Sequence, residues 1–283
     1  MWRVALALVV FLAACSEGEK NTFREVVDNL PLGNIVLNTD TVIVSDQISV
    51  QGDAEPFPTR YRCTGRNCTQ VNDDPLVEPL IQTASDLLRF TDPAADHTTL
   101  PARRGVELSK STINLDANGT DWTFTNYGAW LNHAAFNNII GTATVAGVTL
   151  QTAYNVSFGD HTETGTNPEG DGVWNGVMLG NTRHTTLDPT IRPLRGDATV
   201  NFALATNTLD VAFDNIVYLD TNQSLTDDEI SWSGLAVANG SFERRNDDLG
   251  HIAGTFYGPD HAEVGGVFTS PSAIGAFGAK REP

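Results

Sequence analysis

In ATVNFALATNTLDVAF (residues 198–213) apolar side chains recur at every second position on either side of a polar break. Val200, Phe202 and Leu204 alternate before the break, and Leu209, Val211 and Phe213 after it. Period two is the signature of a half-buried strand. A loop over residues 205–208 sets Leu204 opposite Leu209, Phe202 opposite Val211 and Val200 opposite Phe213. All six then share one face, and Asn201 and Asp210 lie on the other. A slip of one residue mixes the faces, so the pattern specifies its register. The stretch GTFYGPDHAEVGGVF (residues 254–268) yields a second pair. Phe256 pairs with Val264, Gly254 with Gly266 and Ile252 with Phe268. The two opposed glycines leave a gap for a bulky side chain or a bend, as barrels require to curl. Pro259 presets a turn between the strands.

Upstream the pattern is less regular. NIVLNTDTVIVSDQISV (34–50) alternates and is β-branched, which predicts strand. RYRCTGRNCTQV (60–71) reads as a hairpin. Leu80, Ile81, Ala84, Leu87 and Leu88 follow helical spacing, with Pro79 at the start and Thr91-Asp92-Pro93 as the stop. This is the one helix the chain predicts. The Pro-rich DPAADHTTLPARRG (92–105) reads as a linker, and from about 105 onward short β patterns follow one another to the C-terminus. The fold class predicted from these patterns is all-β and antiparallel, a sandwich or barrel.

The N-terminus changes the picture of location. MWRVALALVVFLAAC places Arg3 before an apolar run over residues 4–14 that is too short to cross a bilayer. Leu12-Ala13-Ala14-Cys15 resembles the bacterial lipobox, in which the cysteine is acylated and becomes the new N-terminus. That resemblance implies a signal peptide over residues 1–14 and lipidation, with palmitate among the chains, at Cys15. Ser16 after the cysteine favours the outer membrane. Cys63 and Cys68 remain, and in an exported chain with no zinc ligands nearby they read as a disulfide.

The net charge is −18, which makes nucleic acid a poor partner. His161 follows Asp160 and His261 follows Asp260, but neither pair has a third group at metal or triad spacing. They read as surface-loop histidines, and His133 in WLNHAAF as a packed strand residue. DTNQSLTDDEIS (220–231) begins like a calcium loop but carries Leu225 where the turn glycine belongs and Ser231 where the bidentate glutamate belongs. Arg195-Gly196-Asp197 leads into a strand and reads as an incidental tripeptide. Trp122, Trp130, Trp174 and Trp232 in β patterns read as core rather than as a ligand cage. No catalytic motif stands out, and no cofactor is expected.

The closing residues carry a resemblance. GTFYGPDHAEVGGVF followed by AIGAFGAKR resembles the last strands of the barrel lobe of transferrin-binding protein B, a family of bacterial surface lipoproteins. The shared features are Phe256-Tyr257-Gly258-Pro259, the following acidic residue, the Gly265-Gly266 pair and the terminal glycine-rich strand. YGAWLNHAAF, VWNGVMLG and GDATVNFALATNTLDVAFDNI fit the same lobe, so the resemblance covers roughly 105–283. It implies an antiparallel eight-stranded β-barrel domain over 105–283. Before it would come a tether and a smaller N-terminal β-rich, handle-like region over 15–104 containing the short helix. It also implies a non-enzymatic binding protein of the outer membrane, held there by its N-terminal lipid. A protein or haem would be the ligand, with iron or haem acquisition the favoured role and a structural or adhesive role the alternative. The chain has room for one lobe. In the family the ligand contacts lie in variable loops and the handle, so no ligand residue transfers.

Overall fold

The computed structural model describes residues 38–47, 59–64, 67–70, 98–117, 120–160, 165–183, 190–226, 229–246 and 250–283. The helix expected over residues 80–88 and the lipidated Cys15 lie outside them. Two eight-stranded antiparallel assemblies make up the described chain.

The first is an open sheet of β1 (Asn38–Gln47), β2 (Thr59–Thr64), β3 (Asn67–Gln70), β4 (Thr98–Arg103), β5 (Val106–Ala117), β6 (Thr120–Trp130), β7 (Ala134–Val145) and β8 (Val148–Asp160). Its spatial order is β3-β2-β1-β8-β7-β6-β5-β4. The second is a closed barrel of β9 (Gly172–Thr182), β10 (Pro193–Ala203), β11 (Thr208–Tyr218), β12 (Ile230–Ala238), β13 (Ser241–Asn246), β14 (Gly250–Tyr257), β15 (Glu263–Thr269) and β16 (Ala273–Arg281). β16 returns to pair with β9 and completes the ring, which leaves no free edge. The barrel therefore occupies the C-terminal part of the stretch 105–283. The strands from Val106 to Asp160 belong to the open sheet, which has as many described strands as the barrel.

The expected linker is also corrected. Thr98–Arg103 is a strand, and it accommodates Pro101 because β4 is the sheet's last strand. Arg104 and Gly105 then turn the chain with φ of 47° and 73°. Positive φ at both central residues marks a hairpin turn whose twist matches the strands it joins.

The register of 252–268 is as the sequence predicts, with Ile252↔Phe268, Gly254↔Gly266 and Phe256↔Val264. The β10–β11 register is displaced by two residues, to Phe202↔Leu209 and Val200↔Val211. The turn is 204–207, closed by Asn207 N–H donating to the Leu204 carbonyl at 3.1 Å. Asn207 carries φ 52°, a conformation asparagine tolerates and a β-branched residue such as Thr208 does not. The shift is even, so face assignment survives. Leu204 alone leaves the core, at 51% exposed. Upstream, the β2–β3 register sets Cys63 opposite Cys68.

The barrel lumen is packed with aromatic rings. Phe213 lies 4.5 Å from Phe268 and 5.1 Å from Phe277 between ring centroids, and Trp174 lies 5.0 Å from Phe256. Trp232 and Phe242 complete the layer, and all are buried. The Gly254–Gly266 gap is filled as expected, by ring edges. A Cβ on Gly254 would stand 2.9 Å from Phe242 Cε1, and one on Gly266 would stand 2.8 Å from Phe277 Cε1.

Candidate functional site

β14 to β16 are apolar on both faces. The inner face supplies the lumen. The outer face, with Ala253, Tyr257, Val267, Ile274 and Ala276, joins Val106, Leu108, Ala129 and Phe136 of the open sheet in a second buried cluster. Two-sided burial explains why EVGGVFT and AIGAFGA read as near-continuous apolar runs. Three of the six motif residues, Tyr257, Gly258 and Gly265, lie at this seam between sheet and barrel.

Tyr257 is fully buried with its ring over Gly159 of β8, where an added Cβ would stand 2.5 Å from Cδ1. Gly258, at φ 73°, abuts the His133 ring. Gly265 faces Ser157 of the sheet, whose Oγ would be 2.7 Å from an added Cβ, whereas Gly266 faces the lumen. Gly278 receives the ring of Phe136. His133 lies in the β6–β7 corner rather than in a strand.

Three polar clasps reinforce this apolar seam. Glu263, 2% exposed, accepts hydrogen bonds from Asn132 N–H at 2.6 Å and His133 N–H at 2.8 Å. Burial pushes its carboxyl up to about 7, against the opposing pull of backbone N–H groups at His133, Asn132 and Ala134 and the charge of Lys280. At the second clasp, the Arg103 Nε–H of the β4–β5 hairpin donates to Asp197, and Asn215 Nδ2 donates at 2.9 Å. Burial raises the Asp197 carboxyl, but those bonds and the charges of Arg103 and Arg104 outweigh it and hold the group below its ordinary range. Arg104 also reaches Thr199 Oγ1 at 2.9 Å and Asn175 Oδ1 at 3.0 Å on the barrel wall. Asp197 follows an irregularity in β10 and is consumed by these contacts, so the Arg195-Gly196-Asp197 tripeptide is not a displayed loop. The third clasp is a buried asparagine triad. Asn138 Nδ2 donates to Asn155 Oδ1 at 2.9 Å and to Asn181 Oδ1 at 2.8 Å.

His261 is a correction. It is buried rather than a surface-loop residue, 8% exposed, within a short 3-10 turn at Pro259–His261. Its Nε2–H donates to the Thr166 carbonyl at 2.8 Å, and its own carbonyl accepts Trp174 Nε1–H at 2.7 Å. It packs edge-on to Phe256 at 5.7 Å. The residue ties the segment before β9 across one end of the barrel. Asp260 beside it is exposed and is paired through its carbonyl with Arg281 at 2.9 Å. His161 lies outside the described residues. Trp174 and Trp232 are lumen core, while Trp130 packs edge-on to Phe158 at 6.0 Å and Trp122 stacks with Phe124 at 5.8 Å on the sheet. The four indoles do not converge. In the loop that begins like a calcium site, Asp220 binds Arg192 at 2.8 and 3.0 Å, and Leu225 is a buried plug. Among the described residues no group of three or more His, Cys, Asp or Glu side chains converges as a metal set.

Sequence reasoning did not find Glu263, Asp197 with its arginines, or the asparagine triad. Glu263 had a usable signal, a lone acid on an outer face otherwise made of Gly265, Val267 and apolar neighbours. The asparagines had none: Asn138 and Asn155 face each other across the β7–β8 hairpin, but the third member, Asn181, comes from the barrel strand β9.

The family model described as the C-lobe and N-lobe beta barrels of Tf-binding protein B matches residues 126–281, more than half of the chain. The chain belongs to this family. Among solved structures, it is similar to intact Ap-TbpB, N and C lobes, at 14% identity and a TM-score of 0.39, covering 61% of this chain and 38% of that one. It is similar to isotype 1 transferrin binding protein B of serogroup B Neisseria meningitidis at 14% identity and a TM-score of 0.40, covering 87% and 44%. A double mutant of the vaccine antigen transferrin binding protein B from Haemophilus parasuis Hp5 gives 12% identity and a TM-score of 0.44, covering 86% and 45%. The chain thus spans less than half the length of these structures. No curated protein matches it.

Proposed function

We propose that this protein is a lipid-anchored, non-enzymatic binding protein of the bacterial outer membrane that captures a macromolecule through its loops and open sheet, in the service of iron acquisition. The observation that carries the reading is the filled lumen. Trp174, Trp232, Phe213, Phe256, Phe268 and Phe277 are buried members of one apolar cluster inside the barrel, which argues against haem or another flat ligand bound within it. Ligands of a filled barrel bind outside it, on loops held by a rigid scaffold. Family membership and the names of the similar structures point to transferrin as the first ligand to test. Anchoring rests on Cys15, since two or more acyl chains hold a protein stably at a membrane and one does not.

Immobilised full-length protein, tested against iron-loaded transferrin and separately titrated with haem, decides between the readings. Saturable transferrin binding with no shifted haem absorbance band is the expected result. Stoichiometric haem binding overturns the macromolecular reading. Adhesion to cells or matrix with neither ligand bound overturns the iron role in favour of adhesion. A Cys15→Ser chain that still carries lipid overturns the anchor.

A further inference from the structure

The chain carries 35 acidic and 17 basic residues, so cations gathered without matching acids stand out on it. One such gathering lies where the seam opens to solvent, between β5–β6 of the sheet and the connection that follows β11. Lys110 Nζ stands over the Tyr127 ring, 5.6 Å from its centroid. Tyr127 and Leu219 both pack, half-buried, against the seam cluster. Burial, and then the charge of Asp220, hold the Tyr127 phenol above its ordinary range, which sets that carboxylate across the junction from the ring. Arg192 Nη2 donates to both oxygens of Asp220 at 2.8 and 3.0 Å, and its guanidinium lies 3.9 Å from the Tyr218 ring centroid. Arg195 Nη2 donates to Asn222 Oδ1, in the same turn, at 2.9 Å.

Charge in this cluster is unbalanced. Three cations meet one carboxylate, and Arg192 takes both of its oxygens. Two residues along β10, Asp197 is already held by Arg103 and Arg104. Among the described residues Lys110 and Arg195 enter no ion pair. Arg195 Nε–H is also buried without a hydrogen-bond partner among them, so its head is held beside the barrel wall with its charge uncompensated. The turn is fixed in place. Asn222 N–H donates to the Tyr218 carbonyl at 2.8 Å, Tyr218 N–H to the Gln223 carbonyl at 2.9 Å and Leu219 N–H to the Pro193 carbonyl at 3.0 Å. Tyrosine and arginine dominate binding hot spots, and a surface already held in shape loses little freedom on binding.

We propose that this junction is a docking surface for an acidic segment of a protein partner, whose carboxylates are taken by Arg195 and Lys110 and whose apolar stems lie on Tyr127. Charge complementarity selects the sign of the segment. The guanidinium fork matches a carboxylate, and the acidic remainder of the chain repels acids from other faces. The inference takes its macromolecular partner from the reading above, but its test is separate, because failure to bind transferrin leaves binding of an acidic probe intact.

The test follows the fluorescence anisotropy of a labelled oligoglutamate peptide titrated with full-length protein, at low salt and at about 0.15 M salt. The expected result is saturable binding that weakens with salt and falls about tenfold or more in Arg195→Gln and in Lys110→Gln. Arg245→Gln removes one positive charge elsewhere on the barrel, beside Glu243, and should leave binding unchanged. Equal weakening in all three variants overturns the surface. So does binding that survives both Arg195→Gln and Lys110→Gln, or a wild type that does not bind the peptide. Binding of phosphatidylglycerol vesicles in place of the peptide, lost in Arg195→Gln, overturns the protein partner in favour of a lipid surface. If Arg195→Gln does not fold, Lys110→Gln against Arg245→Gln decides alone.

Discussion

The two faces of the barrel wall are built from the same strands by different chemistry. Inside, Phe213, Phe268, Phe277, Trp174 and Trp232 pack against one another in a single apolar layer. Outside, where the wall meets the open sheet, an apolar patch is edged by Glu263 on backbone N–H groups, Asp197 on two arginines, and a chain of three asparagines. The interior is a core that the barrel makes for itself. The seam resembles an interface, in which apolar area supplies attraction and buried polar groups fix one alignment. The family's closing motif serves both faces at once. Phe256 and Gly266 turn inward, while Tyr257 and Gly265 turn outward.

Damage to the interior should therefore cost more than damage to the seam. Phe277→Ala empties a site at the centre of the aromatic layer and should destabilise the protein by about 3–5 kcal/mol in denaturant unfolding. A loss below about 1 kcal/mol would mean that the lumen collapses easily and is not the stabilising layer.

The adjacent glycines sharpen the contrast within one dipeptide. Gly266→Leu drives a side chain against the Ala253 carbonyl oxygen and the Gly254 backbone, which cannot rotate away. Overpacking of this kind costs about 1–3 kcal/mol and more where backbone is struck. Gly265→Ala meets the Ser157 hydroxyl, which can turn, and should cost less. Thermal melts of the two variants showing the reverse order would exchange the roles assigned to the faces.

At the seam, Asp197→Ala leaves Arg103 without its carboxylate and should cost about 1–3 kcal/mol. The effect should depend on pH. The carboxyl is held low in the folded protein, so its contribution is complete above its ordinary value and fades as pH falls through the lowered one. A wild-type advantage over Asp197→Ala that persists unchanged into strong acid would argue against the ion pair.

His261→Ala should have the smallest effect, about 0.5–1.5 kcal/mol, from one lost hydrogen bond at the barrel end. The transferrin binding proposed above should survive it. Capture abolished in a stably folded His261→Ala protein would make the turn a binding site rather than a plug. A Cys63–Cys68 disulfide is proposed from the sequence, and two free thiols in exported protein on non-reducing mass spectrometry would refute it.

Alternation in the sequence determined the antiparallel strands and the face of each apolar residue, because a period-two pattern permits only one parity against a buried face; the register of Ile252–Phe268 was read correctly with Gly254 set against Gly266. It missed the β10–β11 register by two residues. Parity cannot distinguish registers two apart, and the choice fell to the αL position at Asn207. The terminal motif pointed to the family and to the barrel. Tertiary structure alone decided that Thr98–Asp160 joins the open sheet, since strands of sheet and barrel carry the same local pattern and differ only in their partners. It also decided that His261 is buried and that Glu263, Asp197 and Asn138 clasp the seam. Each of these depends on groups about 20 to 130 residues away in the chain, a proximity that no local pattern encodes.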